Sequence, residues 1–229
     1  MDTRFSGSRD TCVYGEVTRS VSWYGSCFLY FGEQNSNHTA KGGTTIKTIN
    51  TSVITEAVMK MCQEANFYLG NDVLEAFKKG YESEVSLTGK EILQILMKNA
   101  EIAREEQVPM CQDTGFAVVF VELGQDVRIE GGDFYEAINE GVRRGYTEGY
   151  LRKSIVSHPL ERKNTGDNTP AVIHTKIVPG ENLRIIVAPK GGGSENMSAI
   201  KMLKPADGVE GVKKFVIDTV NQQAPIPAL

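Results

Sequence analysis

Met110-Cys111-Gln112-Asp113-Thr114-Gly115 runs directly into Phe116-Ala117-Val118-Val119-Phe120-Val121. The second half is a short apolar run rich in β-branched and aromatic residues, which predicts a buried β-strand. Pro109 disfavours helical backbone at Val108, so a preceding helix should stop near that residue. A thiol, an amide, a carboxylate and a hydroxyl are thereby set in a tight turn between a helix and a core strand. Rigid scaffolds commonly present chemistry at such junctions. Cys111 and Asp113 place a soft metal ligand beside a group able to carry a proton. Asp113 and Thr114 suit an ordinary turn before a strand equally well.

Upstream of this turn, three helices are expected. Val53, Ile54, Ala57, Val58, Met61, Cys62 and Ala65 follow helical spacing, with Asn50, Thr51 or Ser52 as the N-cap. Cys62 lies on that apolar face as a small buried hydrophobe. A second helix over Asn71–Ser83 buries Val73, Leu74, Phe77 and Tyr81. Thr88-Gly89-Lys90-Glu91 reads as a capping box that opens a third, with an apolar face through Ile92, Leu93, Leu96, Ala100 and Ala103. Residues 1–43 show no sustained period of either kind and read as an atypical, disordered extension.

Downstream, a short strand is expected at Val127–Ile129, then a helix capped by Gly131-Gly132-Asp133 that runs to about Tyr150. Arg152 and Lys153 follow it. Arg152 could clamp a carboxylate through bidentate contacts, or simply balance the dipole at the helix end. The polar, turn-rich tract Ser157–Pro170 is long enough to be suspected of function. Ala171–Val178 and Leu183–Pro189 read as an antiparallel hairpin joined by Pro179-Gly180-Glu181-Asn182. The glycines of Lys190-Gly191-Gly192-Gly193-Ser194 permit close backbone approach and suit an anion nest, or serve as a flexible loop. A last amphipathic helix occupies about 207–220.

Composition narrows the function classes. Of 229 residues, 40% are apolar and 24% charged, as in an ordinary globular chain with material for a core. A net charge of −4 and a pI near 5.5 speak against a broad nucleic-acid surface. No apolar run approaches a membrane span, and the N-terminal residues lack the basic and unbroken apolar regions of a signal peptide, so none is expected. Four cysteines, widely spaced, make neither a disulfide scaffold nor a compact zinc pattern, so a reducing cytoplasm is expected. His158 and His174 stand far from any nucleophile motif, which leaves triad chemistry without support.

Four segments in order, Pro109–Gly115, Gly149–Val156, Arg162–Ala171 and Lys190–Asn196, together resemble the α-subunit-type domain of the class I (iron–sulfur) fumarase and L-tartrate dehydratase family. The resemblance covers roughly residues 46–220. It implies an α+β fold, a helical N-terminal half followed by a mixed or antiparallel sheet with packed helices. It further implies a [4Fe–4S] cluster acting as Lewis acid on a small dicarboxylate, with reversible hydration of fumarate to malate. On that resemblance Cys111 matches a cluster ligand, and Gln112 and Asp113 match substrate-contacting groups, Asp113 being the proton-transfer candidate. Arg152 matches the substrate-carboxylate cation, and Gly192 and Gly193 match the backbone that meets the substrate.

A β subunit or β-type domain and a homo-oligomer are the implied partners. The family's two further cluster cysteines lie beyond the last helix, where this chain has Gln222-Gln223-Ala224-Pro225-Ile226-Pro227. The expected organisation is therefore an extension over 1–43, an α-type domain over 44–222 incomplete at its C-terminus, and a tail over 223–229. Fumarate hydration is the leading expectation. An L-tartrate dehydratase α chain and an inactive fragment are its alternatives.

Overall fold

Asn50 starts the first helix by turning its own side chain back on the chain. The Ser52 N–H donates to Asn50 Oδ1 at 2.9 Å, and α1 runs over Thr51–Phe67. The computed structural model describes residues 12–14, 17–22, 26–31, 47–193 and 198–223. The chain divides into two units at Gly191/Gly192.

In the first unit, α1 buries Ile54, Val58, Met61 and Cys62 at i, i+4, i+7 and i+8, the stripe its periodicity predicts. It packs along α4, Phe134–Glu148, which is capped by Asp133 accepting from the Glu136 N–H at 2.8 Å. Ile138, Val142 and Tyr146 of α4 complete the helix layer. The approach is close because Gly141 and Gly145 face α1. A Cβ at Gly145 would lie 2.8 Å from the Cys62 Cβ and 2.8 Å from the Met59 carbonyl oxygen.

The two helices cover one face of a six-stranded sheet ordered β1-β2-β3-β8-β5-β7. Its strands are β1 (Cys12–Tyr14), β2 (Val17–Ser22), β3 (Ser26–Phe31), β5 (Phe116–Gly124), β7 (Val172–Val178) and β8 (Leu183–Lys190). Ala117, Val119 and Val121 of β5 and Leu183, Ile185 and Val187 of β8 are buried, which is the two-residue period of a strand with one covered face. A separate parallel pair joins β4 (Lys47–Asn50) to β6 (Val127–Glu130). The fold class is α+β, with a mixed sheet.

The expected hairpin does not form. β5 lies between the two strands, parallel to β7 and antiparallel to β8. The Pro179–Asn182 link instead arches over the end of β5: the Gly124 N–H donates to Asn182 O at 2.8 Å and the Asp126 N–H to Gly180 O at 3.0 Å. Gly124 makes the arch possible, since a Cβ there would sit 2.2 Å from Gly180 O. Within the stretch expected to be disordered, the described residues are strands β1, β2 and β3, and the remainder lies outside the described residues. Their order comes from a distant partner. β3 pairs antiparallel with β8 from Cys27↔Val187 to Phe31↔Leu183, a relation no local period reveals.

α2 (Asn71–Ser83) and α3 (Leu87–Glu106) pack on each other. Val73, Leu74, Phe77 and Tyr81 are half-buried rather than buried, and in α3 only Ala100 and Ala103 are fully covered, with Ile92 and Leu96 exposed. The cap of α3 is Ser86, not Thr88: Ser86 Oγ accepts from the Gly89 N–H at 3.3 Å. Glu84 decides this by accepting from the Val85 and Ser86 N–H groups, both at 2.8 Å, which begins the helix two residues earlier. At its far end, Gln107 takes the left-handed conformation (φ 54°) and Pro109 follows, as expected.

The second unit contains a 3-10 turn at Pro205–Asp207 and α5, Gly208–Gln223, with Val209, Val212, Val216 and Val220 exposed. Among the described residues no helix is long and apolar enough to cross a membrane. The expected tail beyond Gln223 lies outside the described residues.

Candidate functional site

The turn after α3 is held at both ends before it presents any side chain. The Met110 N–H donates to Asn66 O at 3.0 Å, and Asn99 Nδ2 donates to Met110 O at 2.8 Å. At the other end Gly115 has φ 65° and passes so near β8 that a Cβ would lie 2.2 Å from Lys190 O. Only glycine fits there, both for its dihedral and for space. Between these anchors Cys111 and Gln112 are exposed and Asp113 is half-buried. Asp113 Oδ1 accepts from the Gly115 N–H at 3.0 Å, so the carboxylate also shapes the turn.

Thr114 joins the turn to the segment after α4. Its buried hydroxyl accepts from the Arg152 N–H at 2.9 Å and lies 3.3 Å from Arg152 O, to which it donates. The Tyr146 hydroxyl donates to Thr114 O at 3.0 Å. Burial first, then the nearby Cys62 and Asp113, pushes the Tyr146 phenol up, so it stays a protonated donor. Arg152 lies beyond α4, and its Nη1 donates to Gln112 Oε1 at 3.3 Å. Three of the expected site residues, Gln112, Asp113 and Arg152, are thus brought together.

Asn168, fully buried, locks this arrangement from a third direction. Its Oδ1 accepts from the Ser154 N–H at 2.6 Å and the Ile155 N–H at 3.2 Å, and its Nδ2 donates to Gly115 O at 3.1 Å. It adopts φ 62°, a conformation asparagine tolerates better than most residues. The suspected loop Ser157–Pro170 therefore acts as a brace. His158 belongs to it structurally, its Nδ1 accepting from the Leu160 and Glu161 N–H groups at 3.2 and 3.3 Å. Gly191 is the glycine of the run that lies against Asp113, where a Cβ would be 3.2 Å from Oδ2. Gly192 and Gly193 fall in the second unit, and Ser194, Glu195 and Asn196 lie outside the described residues.

The brace has its own electrostatic anchor. Burial pushes the Asp167 carboxyl up, but the Thr169 amide and hydroxyl, Arg143 and Thr165 outweigh it and hold the group at about 2, below its ordinary 3.8. Arg143 Nε donates to Asp167 at 3.1 Å. A carboxylate with a depressed folded pKa contributes stability in full above its unfolded value and loses it as pH falls through the folded one. Amides of Ser154–Pro170 should therefore exchange hydrogen faster as pH is lowered from about 4 towards 2, once intrinsic exchange is corrected for. Asp167→Asn should remove that pH dependence; an unchanged profile in the variant would show that the anchor lies elsewhere.

The thiols do not make a cluster site among the described residues. An iron–sulfur cluster is held by several thiolates. Cys111 is exposed and could give one, but Cys62 is fully buried in the helix layer, where desolvation pushes its thiol up to about 12. No group of three or more His, Cys, Asp or Glu able to hold a metal occurs among the described residues. Sequence pattern gives Tyr146 no role in the site and Thr114 only that of a turn residue. Asn168 lay within a quoted segment, but only its tertiary contacts give it a role.

Comparison with known proteins adds lineage to this geometry. The family model described as fumarate hydratase (Fumerase) matches residues 55–228. The chain is 42% identical over 173 residues to a Methanocaldococcus jannaschii protein provisionally named L(+)-tartrate dehydratase subunit alpha, covering 73% of this chain and 60% of that one. It is 32% identical over 184 residues to the anaerobic class I fumarate hydratase of Escherichia coli, covering 77% and 33%. With the L(+)-tartrate dehydratase subunit alpha of Escherichia coli the identity is 29% over 174 residues, covering 75% and 57%. The chain spans at most 60% of the length of these relatives.

Proposed function

Because the chain belongs to the fumarate hydratase (Fumerase) family, we propose that it is the α-type part of a hydro-lyase that adds water reversibly across the double bond of a four-carbon dicarboxylate. The observation that carries this reading is the convergence of Gln112, Asp113 and Arg152 on one turn. Arg152 offers the charge-assisted hydrogen bonds a carboxylate needs. Gln112, already within 3.3 Å of the guanidinium, orients it and supplies an amide donor. Asp113 is the group proposed to move a proton to and from the substrate carbon. Gly191 brings backbone against that carboxylate, and Gly192 and Gly193 are proposed, on the family resemblance alone, as further substrate-contacting backbone.

Fumarate and tartrate are the two substrates the relatives' names support, and the higher identity is to the tartrate-type protein. The cofactor proposed for the whole enzyme is the family's [4Fe–4S] cluster, a Lewis acid for a substrate oxygen when bound. Cys111 is its proposed ligand in this chain. One thiolate does not hold a cluster, so the described residues alone do not fit it. A β-type partner is proposed on the strength of relatives named as α subunits.

Calorimetric titration of the chain with L-tartrate and L-malate tests the reading. Binding is expected, and Arg152→Ala should weaken it by about ten- to a hundredfold, the range of a charged hydrogen bond lost. Failure of the unaltered chain to bind any four-carbon dicarboxylate would sink the proposal. Iron and acid-labile sulfide counted on the same sample test the cofactor separately.

A further inference from the structure

A recess of about 170 Å³ opens against the Met110–Gly115 turn, lined among others by Ala65, Asn66, Leu69, Asp113, Thr114 and Gly191. That is room for about five waters at ~30 Å³ each, or for one end of a small organic acid. Asn66 is its unexplained residue. It sits in the last turn of α1, 8% exposed, and its backbone carbonyl accepts the Met110 N–H. Its Nδ2 donates to Cys62 O at 2.8 Å. That bond settles which way the amide points, because an oxygen in the same place would face another oxygen. Oδ1 is left as the acceptor, and it has no hydrogen-bond partner among the described residues.

An acceptor that no protein group donates to, on a residue lining a recess, is left to water or to a ligand's donor. The recess already carries the Asp113 carboxylate, while the Thr114 hydroxyl is committed to Arg152. An acceptor-rich lining of this kind repels a ligand carboxylate and matches an uncharged donor. The positive charge for a carboxylate is supplied by Arg152. We infer that the recess is a hydroxyl-recognition subsite, in which Asn66 Oδ1 accepts the hydrogen bond of a substrate hydroxyl. Asn66 thereby sets a preference for hydroxylated over unsubstituted four-carbon dicarboxylates. A site built to bond a hydroxyl rejects the analogue that lacks one, since the acceptor is then left unpaired. The inference rests on the dicarboxylate reading above.

The test is titration of the full chain with L-tartrate and with succinate, for the unaltered protein, Asn66→Leu and Asn66→Ser, with Tm recorded for each. The side-chain changes leave the backbone bond to Met110 in place. The unaltered chain should bind tartrate more tightly than succinate. Both variants should lose on the order of tenfold for tartrate, one hydrogen bond's worth, and leave succinate unchanged. A tartrate-to-succinate ratio that is the same in all three proteins overturns the inference while the dicarboxylate reading stands. If the unaltered chain binds neither ligand, both fall. If both variants lose all binding together with their Tm, Asn66 is a structural brace and the subsite is rejected.

Discussion

Asn168→Ala should destabilise the first unit by on the order of 3–5 kcal/mol, since unpaired buried groups cost ~1–3 kcal/mol each and do not add in full. The change strands three backbone groups at once: the Ser154 and Ile155 amides and the Gly115 carbonyl. It also puts alanine at φ 62°, a conformation that costs an ordinary L-residue about 1 kcal/mol. A loss of this size is a large part of a domain's stability, typically ~5–15 kcal/mol, and urea denaturation would read it directly. Asn168→Asp separates the contributions. The carboxylate still accepts from the two amides but cannot donate to Gly115, so a clearly smaller loss is expected. Equal losses in the two variants would mean that the Gly115 bond dominates and that the clamp is one-sided.

The second large effect lies where α1 and α4 touch. Gly145→Val would drive a branched side chain into the Cys62 Cβ and the Met59 carbonyl, both 2.8 Å from where even a Cβ would stand. Backbone cannot yield as a flexible side chain can, and overpacking a filled core costs ~1–3 kcal/mol or more. We expect about 3 kcal/mol at least, or failure to fold, measured by thermal and chemical denaturation. Gly80→Ala is the control. Its added carbon meets only Leu93 Cδ1 at 3.7 Å, an ordinary contact, and alanine in a helix interior is favoured over glycine by up to ~1 kcal/mol. One glycine replacement should cripple the protein and the other strengthen it. Similar effects at the two positions would show that propensity, not space, governs both.

Much of this architecture can be read from local pattern. The bounds of α2, the Asn50 and Asp133 caps, the end of α3 and the strand after Gly115 all follow from neighbours within a few residues. The misses share one cause. Thr88 heads the capping-box pattern, and only the reach of Glu84 moves the cap to Ser86. β3 is ordered by β8, far along the chain. The site divides in the same way. Cys111, Gln112, Asp113 and Arg152 could be named from motifs, whereas Thr114, Tyr146, Asn168 and Asn66 acquire their roles only when distant segments meet. Asparagine in a polar, turn-rich tract looks like every other loop asparagine until its three partners are in place.

The arch over β5 has a consequence for how the protein assembles. A hairpin between β7 and β8 would close locally within about 1–10 μs, but here the two strands have no shared ladder. Their partner is β5, and the rungs Val118↔Val172 and Phe120↔Ile186 join segments separated by β6, α4 and the brace. Such closures wait on the collapse of everything between them, which places the centre of the sheet late in folding. The Cys111–Gly115 turn opens directly into β5, and Arg152 lies on the far side of α4. Seating the strand and bringing Gln112, Asp113 and Arg152 together should therefore coincide in folding. A chain caught short of that step carries open strand edges and no site, so for newly made protein the appearance of ligand binding should mark the end of folding.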